Sequence, residues 1–498
     1  MVLAGTLIIA SCGSDTDNGS TATAAETTLQ VDTTPAATDV ETTSTDAPLP
    51  TSRFIGNDAF CTPSTDAAAE TPTVTDAGIT ADSISITNVR LRLEDLTQIG
   101  FGFDNGDTAD QAETFVNIIN DVCGGINGRK LVLTTVESSP LAEDPGLEAQ
   151  QNCTTIAEDE SAVAAFSFTG VGDPLASCLT AAHDVIFLTT YDLADSSFEA
   201  ADGRLFSVNH SPTNILTYAV RELADELAGK KVGVVYGDAD PDPQVVDEGL
   251  LQEMEAAGID VVRADVIGCG GGPQCADGII PSVQGMVADG VEVIFPLLNT
   301  LSLPGYLSEM VIQGVQPGQI QFVNTSFLAQ DSELVTGKMV EFGGAEAGAL
   351  YNGAILISGS RAGEHRLPDF EPDPFAVMCN NAYVENSTKV TTPYDFLNDD
   401  DNRRASSVAS NCSGIRLLAR AIEAAGPNPT RADIAAALGD LGEVDSGEGI
   451  PSSFTPGKFT APDAIVRETF HFPCPMPTTN TVGNCILPDS DYLPIPKG

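Results

Sequence analysis

Ile119-Asn120-Asp121-Val122-Cys123-Gly124-Gly125-Ile126-Asn127-Gly128-Arg129-Lys130-Leu131 is the joint on which the reading of this chain turns. On its amino side, Ala109, Ala112, Phe115, Val116, Ile119 and Val122 recur at helical spacing and predict a helix over 107–122. On its carboxyl side, LVLTTVES predicts a strand over 131–138. The glycines between them let the chain turn where a side chain would be strained. ISITNVRL (84–91) is a further strand, so the joint sits inside a strand–helix–strand unit.

The same rhythm runs outward. A helix near 145–157, a strand at 163–168, a helix from Pro174 and a strand at 185–190 follow. After a break come a helix at 213–227, a strand at 231–237, a helix at 243–257 and a strand at 260–266. A helix near 279–288, a strand at 291–298, a helix at 302–313 and a strand at 320–325 complete the second series. Apolar strands alternating with amphipathic helices predict parallel sheets covered on both faces. Two such series predict two α/β lobes, with the links between them as hinge.

The 498 residues carry 71 acidic and 22 basic side chains, a formal charge of −49. That field repels phosphate backbones and argues against nucleic-acid binding. It also repels an anionic membrane, so membrane contact needs an anchor. No run of 18 apolar residues is present to span a bilayer. With 42% apolar and only 19% charged residues, the chain reads as globular, and its acidity reads most simply as a solvation feature, ahead of a specific cationic partner.

The opening MVLAGTLIIAS is apolar and precedes Cys12. Ile9-Ala10-Ser11-Cys12 resembles the lipobox of bacterial lipoproteins, which implies acylation of Cys12 and anchorage to a membrane face. No Lys or Arg precedes the apolar run, a departure from a signal peptide. Sixteen of the forty residues in 13–52 are Ser or Thr and none is aromatic, so the segment reads as a disordered tether. Its r.m.s. span is roughly 35 Å.

Cys12 aside, ten cysteines remain, which in an exported chain predicts five disulfides. Spacing suggests Cys269–Cys275 around a Gly-rich loop and Cys474–Cys485 in the tail. Cys153 and Cys178 could join two neighbouring helices, and Cys379 could meet Cys412, leaving Cys61 with Cys123. A metal site is the weaker reading, because no CxxC occurs and His183, His210, His365 and His471 are scattered. No metal or cofactor is expected.

The joint, with Ile119-Asn120 followed by Cys123-Gly124-Gly125-Ile126-Asn127-Gly128-Arg129-Lys130-Leu131, resembles the signature of type I periplasmic binding proteins. These are the extracytoplasmic receptors of branched-chain amino-acid ABC importers and their relatives. GITADSISI resembles the family's opening and ASNCSGIRLLARAIEAAG its late returning helix, so the resemblance runs from about Gly78 to about Thr460. The spacing of Cys153 and Cys178 also fits a disulfide of that family. The resemblance implies two Rossmann-like lobes with parallel sheets joined by a three-strand hinge, crossing near 208–212, 355–362 and 447–455. It divides the chain into a signal remnant (1–11), the tether (12–55), an N-terminal lobe (56–210 and 361–447) and a C-terminal lobe (211–360 and 448–498). It implies capture of a small polar solute, an amino acid or related compound, for an ABC permease, with the protein a monomer.

Ligand crevices of such sheets lie at the carboxyl ends of the strands. There the resemblance nominates Thr169, Gly170, Thr189, Thr190 and Tyr191 from the first lobe, and Tyr236, Asp238, Asn299 and Thr325 from the second. Thr169 and Thr190 would hold a carboxylate and Asp238 an ammonium. The competing reading of each loop is helix capping. Two departures stand out. RLRLEDLTQIGFGFDNGD (90–107) replaces a short Thr-Gly loop, and its Arg90 and Arg92 are expected to neutralise nearby acids. Asp173 before Pro174 is expected to cap a helix and to disfavour an anion beside it.

The segment 368–404 reads as turn-rich, and the Pro-rich tail from Phe470 as a decoration that covers the lobes or adds a partner surface. An enzyme is not expected, since no GxSxG, HExxH or P-loop is present. Asp238-Ala239-Asp240-Pro241-Asp242 starts like a calcium loop but continues with Pro243 and Gly249 where Gly and Glu belong. The alternative function is a sensing or adhesive surface lipoprotein of the same fold.

Overall fold

In the computed structural model, the helix Thr108–Asn117 runs on through a wider turn over Ile118–Val122. Gly125 then takes φ 78°, and a Cβ there would lie 2.4 Å from the Arg129 carbonyl oxygen. Ile126 and Arg129 exchange backbone bonds of 2.8 and 2.9 Å around Asn127 and Gly128, both at positive φ, as an Asn-Gly hairpin turn demands. The Asn127 amide donates to the carbonyls of Ile422, Glu423 and Gly426, which close the helix Asp399–Ala424. Buried Arg129 donates to the carbonyls of Thr80 and Thr73, both at 2.7 Å, and to that of Pro427. The joint therefore also fastens the late helix.

The structure describes residues 52–64, 70–100, 102, 104–170, 172–190, 193–239, 241–270, 274–447, 449–476 and 483–497. Cys12 and the tether up to Thr51 lie outside the described residues. The described residues belong to one unit, Thr51–Gly498.

The first sheet is parallel, in the order β2-β1-β3-β4-β5, from β1 (Ser83–Leu91), β2 (Lys130–Ser138), β3 (Ala164–Ser167), β4 (Ile186–Thr189) and β5 (Leu205–Ser207). In the second, β6 (Lys231–Gly237), β7 (Asp260–Ile267), β8 (Val293–Leu297), β9 (Gln321–Thr325) and β10 (Ile355–Ser358) are parallel. A short pair, β11 (Gly442–Glu443) and β12 (Ser453–Phe454), precedes β13 (Ala464–His471), β14 (Cys485–Pro488) and β15 (Leu493–Pro494). β13 joins β10 antiparallel, and β14 and β15 join β13 antiparallel. The sheet order is β14-β13-β10-β9-β8-β6-β7, so the Pro-rich tail extends the second sheet instead of decorating it, and that sheet is mixed.

Along β6 the side chains alternate between two cores. Val232 and Val234 pack with Ile215, Leu250 and Phe295, while Val235 packs with Met286, Tyr306 and Phe322. This is the two-faced burial that an apolar strand signals. In the first lobe Phe115, Phe166 and Ile186 pack with Ile415, Leu418 and Ile422 of the late helix.

The segment 368–404 departs from its turn-rich reading. It contains the helix Pro374–Asn386, capped by Asp373, and the start of Asp399–Ala424. Asn398 accepts from the N–H groups of Asp400 and Asp401, so a polar run that reads as loop is a helix start. The disulfides join Cys61–Cys123, Cys153–Cys178, Cys269–Cys275, Cys379–Cys412 and Cys474–Cys485. The fourth pins the helix Pro374–Asn386 to the late helix.

Candidate functional site

The chain passes between the sheets after β5, after β10 and before β13. Ser207 N–H donates to the Phe459 carbonyl and Ala461 N–H to the Ser207 carbonyl, both at 2.8 Å, so the first and third crossings run side by side. Gly359 of the second crossing lies against the His210 ring, where a Cβ would come within 3.3 Å. These contacts hold the carboxyl ends of β5 and β10 beside one another. The loop after β1 reaches the helix after β9, with Lys338 Nζ donating to the Gly100 carbonyl at 3.2 Å.

An ion-pair chain spans the same junction. Arg366, on the second crossing, has a side chain only 2% exposed. It pairs with Glu333 of the second lobe and, at 2.9 Å, with Asp399 at the head of the late helix. His365 Nε2 lies 2.7 Å from the same Asp399 oxygen. Glu333 also accepts from Ile486 N–H at 2.9 Å.

Each nominated residue has a definite place. Thr169, after β3, accepts from Leu91 N–H at 2.8 Å, which ties the β1 and β3 ends together and leaves its own hydroxyl proton to donate. Gly170 is buried at φ 106°, a conformation that favours glycine. Thr189 is fully buried at the end of β4. Thr190, half-buried, donates its N–H to the Ser167 carbonyl, and its own carbonyl accepts from Asn209 at 2.6 Å. Tyr191 lies outside the described residues.

In the second lobe Tyr236 is half-buried, and burial together with Asp247 holds its phenol protonated. Asp238 is exposed, but one carboxylate oxygen accepts from Cys269 N–H at 2.7 Å and so braces the loop closed by Cys269–Cys275. Asn299 Oδ1 accepts from the N–H groups of Leu301 and Ser302, both at 3.1 Å, at the start of the helix Leu303–Ile312. Thr325 is fully buried and accepts from Phe327 N–H at 3.1 Å. Asn299 and Thr325 thus spend side-chain oxygens on local backbone.

Arg90 pairs with Glu94 and Glu137, and Arg92 with Asp95, so both neutralise acids as expected. Asp173 departs from its expected role. Gly172 occupies the cap, and Asp173 instead accepts from Ala194 N–H at 3.1 Å and from Ser197, fastening two helix starts together.

The sequence places Ser167 and Thr300 in polar strand-end runs without nominating them, and gives no sign of Gln330. Among the described residues, Ser167 Oγ at the end of β3, Thr300 Oγ1 after β8 and Gln330 Oε1 after β9 are enclosed and have no hydrogen-bond partner. An enclosed polar atom without a partner costs about 1–3 kcal/mol, so these are groups a polar solute can satisfy. The only signal in the sequence for Ser167 and Thr300 was their position, and the neighbours that share it are caps.

Residues 103–347 match the family described as periplasmic binding protein. No curated protein matches the chain. Among solved structures, it is similar to a solute-binding protein of an ABC transporter from R. palustris in complex with 4-hydroxybenzoate. That similarity has a TM-score of 0.58 at 14% identity over 84% of this chain and 98% of that one. A substrate-binding protein from Desulfitobacterium hafniense in complex with Leu gives 0.54 at 16% over 83% and 100%. A fatty acid ABC transporter substrate-binding protein from Thermomonospora curvata gives 0.55 at 14% over 84% and 95%.

Proposed function

We propose that this chain, whose residues 103–347 match the periplasmic binding protein family, is a solute receptor of the type I fold and not an enzyme. It captures a small polar solute bearing a carboxylate, an amino acid or related compound, between two lobes that close about the three crossings, and hands it to an ABC permease. The lobes are 56–210 with 361–447 and 211–360 with 448–498. Acyl chains on Cys12 and the tether that follows it hold the body, as a monomer, at an extracytoplasmic membrane face; the tether ends before Ser52, since Arg53 pairs with Glu423 and Phe54 is fully buried, short of the expected boundary at 55.

The observation that carries the reading is the set of unsatisfied polar oxygens at the strand ends of both lobes: Ser167 from the first, Thr300 and Gln330 from the second. The two hydroxyls can donate to a carboxylate and the amide oxygen can accept from an N–H or O–H group. Thr169 and Thr190 flank Ser167, and Asp238 supplies the acid for an ammonium. The ligands named for the similar structures, 4-hydroxybenzoate, leucine and fatty acid, differ in body and share a carboxyl group, which supports that class over any one member.

The test is a thermal-shift screen of the disulfide-intact protein against amino acids, aromatic and aliphatic carboxylates, amides and polyamines. A ligand at 100 times its Kd stabilises by about 2.7 kcal/mol. A shift for carboxylates, absent for their amides, is the expected result. A shift for polyamines alone would move the reading to cations. No shift from a well-folded protein would leave the fold as a sensing or adhesive surface lipoprotein.

A further inference from the structure

The late helix carries Arg416 and Arg420 one turn apart, and both are buried, with 2% and 6% of their surface exposed. Arginine heads ordinarily stay in water while their stems cover apolar surface. Here the heads are enclosed. Arg416 Nη2 donates to the Gly56 carbonyl at 2.9 Å, and Arg420 Nη2 to the carbonyls of Leu441 and Glu443 at 3.2 and 3.0 Å. Among the described residues, Arg416 Nε, Arg416 Nη1 and Arg420 Nε are enclosed donors with no acceptor.

The surroundings do not supply one. Asp445 stands 3.9 Å from Arg416 Nη1, beyond hydrogen-bond reach, with a side chain 40% exposed. The rings of Phe60 and Phe375 lie 5.9 and 5.2 Å from the Arg416 guanidinium carbon, and they favour the charge without offering an oxygen. The other acid in electrostatic reach is committed elsewhere. Glu423, in reach of Arg420, pairs with Arg53 at 2.7 Å. Burial pushes Arg416 down to about 10, the Asp445 charge opposes that push and the Arg420 charge adds to it; burial lowers Arg420 too, against Asp445 and Glu423.

We propose that the guanidinium edges of Arg416 and Arg420 form an internal site for a small monovalent anion of the halide class. Two buried cations at i and i+4 repel one another, and an anion between them turns that repulsion into two attractions while accepting the unmet N–H groups. The occupant is ion-sized, because both side chains are closed to solvent. It is distinct from the captured solute. Arg420 already grips Leu441 and Glu443, and Ser413 of the same helix donates to the Asp445 carbonyl, so an anion here reinforces the hold of the late helix on the segment that leads into the third crossing.

The direct test is anomalous diffraction from crystals of the intact protein soaked in sodium bromide. A bromide peak shared by Arg416 and Arg420 is expected, and its absence there overturns the site. In solution, the unfolding midpoint is measured at constant ionic strength while chloride replaces gluconate. A saturable rise is expected in the wild type and a flat response in Arg420→Met. Equal midpoints in the two salts, or an undiminished response in Arg420→Met, would also overturn it. The bromide measurement uses the wild type, so the proposal stays testable even if the variant does not fold.

Discussion

His210 Nε2 lies 2.8 Å from the carbonyl oxygen of Ala464, a bond that ties the first crossing to the third. A carbonyl only accepts, so Nε2 carries the proton. Burial pushes the imidazole down to about 4 from its ordinary value, which keeps it neutral. A base whose folded pKa is depressed contributes stability that is present above its unfolded value, about 6.5. That contribution is lost as pH falls through about 4. His210→Ala removes the bond and leaves the Ala464 carbonyl unmet, at a cost of about 1–3 kcal/mol. Urea melts from pH 3 to pH 8 should show the wild type losing stability below pH 6.5, with a smaller loss in the variant.

Glu468 predicts the opposite slope. It is fully buried in β13 opposite Leu356, and neither carboxylate oxygen has a side-chain partner. Burial pushes it well above the usual carboxylate range, and Asp331, Glu333 and Asp489 add to the push. Asp331 is itself raised by burial, though Ser358 donates to it at 2.5 Å. A carboxyl whose folded pKa is raised gives stability that is full below its unfolded value and is lost as pH climbs through the folded one. Glu468→Gln should therefore match the wild type near pH 4 and exceed it at pH 8, as read from thermal midpoints. A variant less stable than the wild type at pH 8 would mean that the carboxylate is stabilised by a cation.

The ion-pair chain through Arg366 predicts coupling between stability and capture. Removing one partner of a buried pair costs about 3–5 kcal/mol, because the other charges stay buried. Arg366→Met strands Glu333 in one lobe and Asp399 in the other, so it should lower stability by about that amount. It should also weaken solute binding, since the junction that orients the lobes loosens. Calorimetric titration and small-angle scattering with and without solute would test this. Unchanged affinity would confine the chain to a purely structural role.

How much of this was legible in the sequence depends on what each residue spends its polar atoms on. The joint at 123–131 was legible because Gly125 takes a backbone conformation and a close approach that only glycine tolerates. The strands β1 to β4 and β6 to β9 were legible because apolar runs between helices have few alternatives, whereas the three residues of β5 were too short to signal one. The helix starting at Asp399 was not, because Asn and Asp serve equally in turns and at helix starts, and only Asn398 accepting from Asp400 N–H decides between them. The strands after β12 were hidden among prolines. At the site the same ambiguity acts atom by atom. Asn299 and Thr325 are the residue types a ligand pocket uses, yet their oxygens serve the backbone, while Ser167 and Thr300 nearby remain unmet.

That contrast gives the sharpest prediction about capture. Asn299 accepts from Leu301 and Ser302 at the head of the helix Leu303–Ile312, so Asn299→Ala should cost about 1 kcal/mol of stability and change affinity little. Ser167→Ala and Thr300→Val remove hydroxyls that have no partner among the described residues, so neither should lower the unfolding midpoint. If a solute carboxylate takes those hydroxyls, each change loses one hydrogen bond to a charged group, about 1.5–3 kcal/mol, or roughly ten- to a hundredfold in Kd. The two hydroxyls come from opposite lobes, so each substitution weakens a different half of the grip. The double variant should fall near the sum of the single losses if the solute bridges the lobes. A single variant that binds as tightly as the wild type would remove that residue from the site, and stability losses without affinity losses would make both hydroxyls parts of the fold.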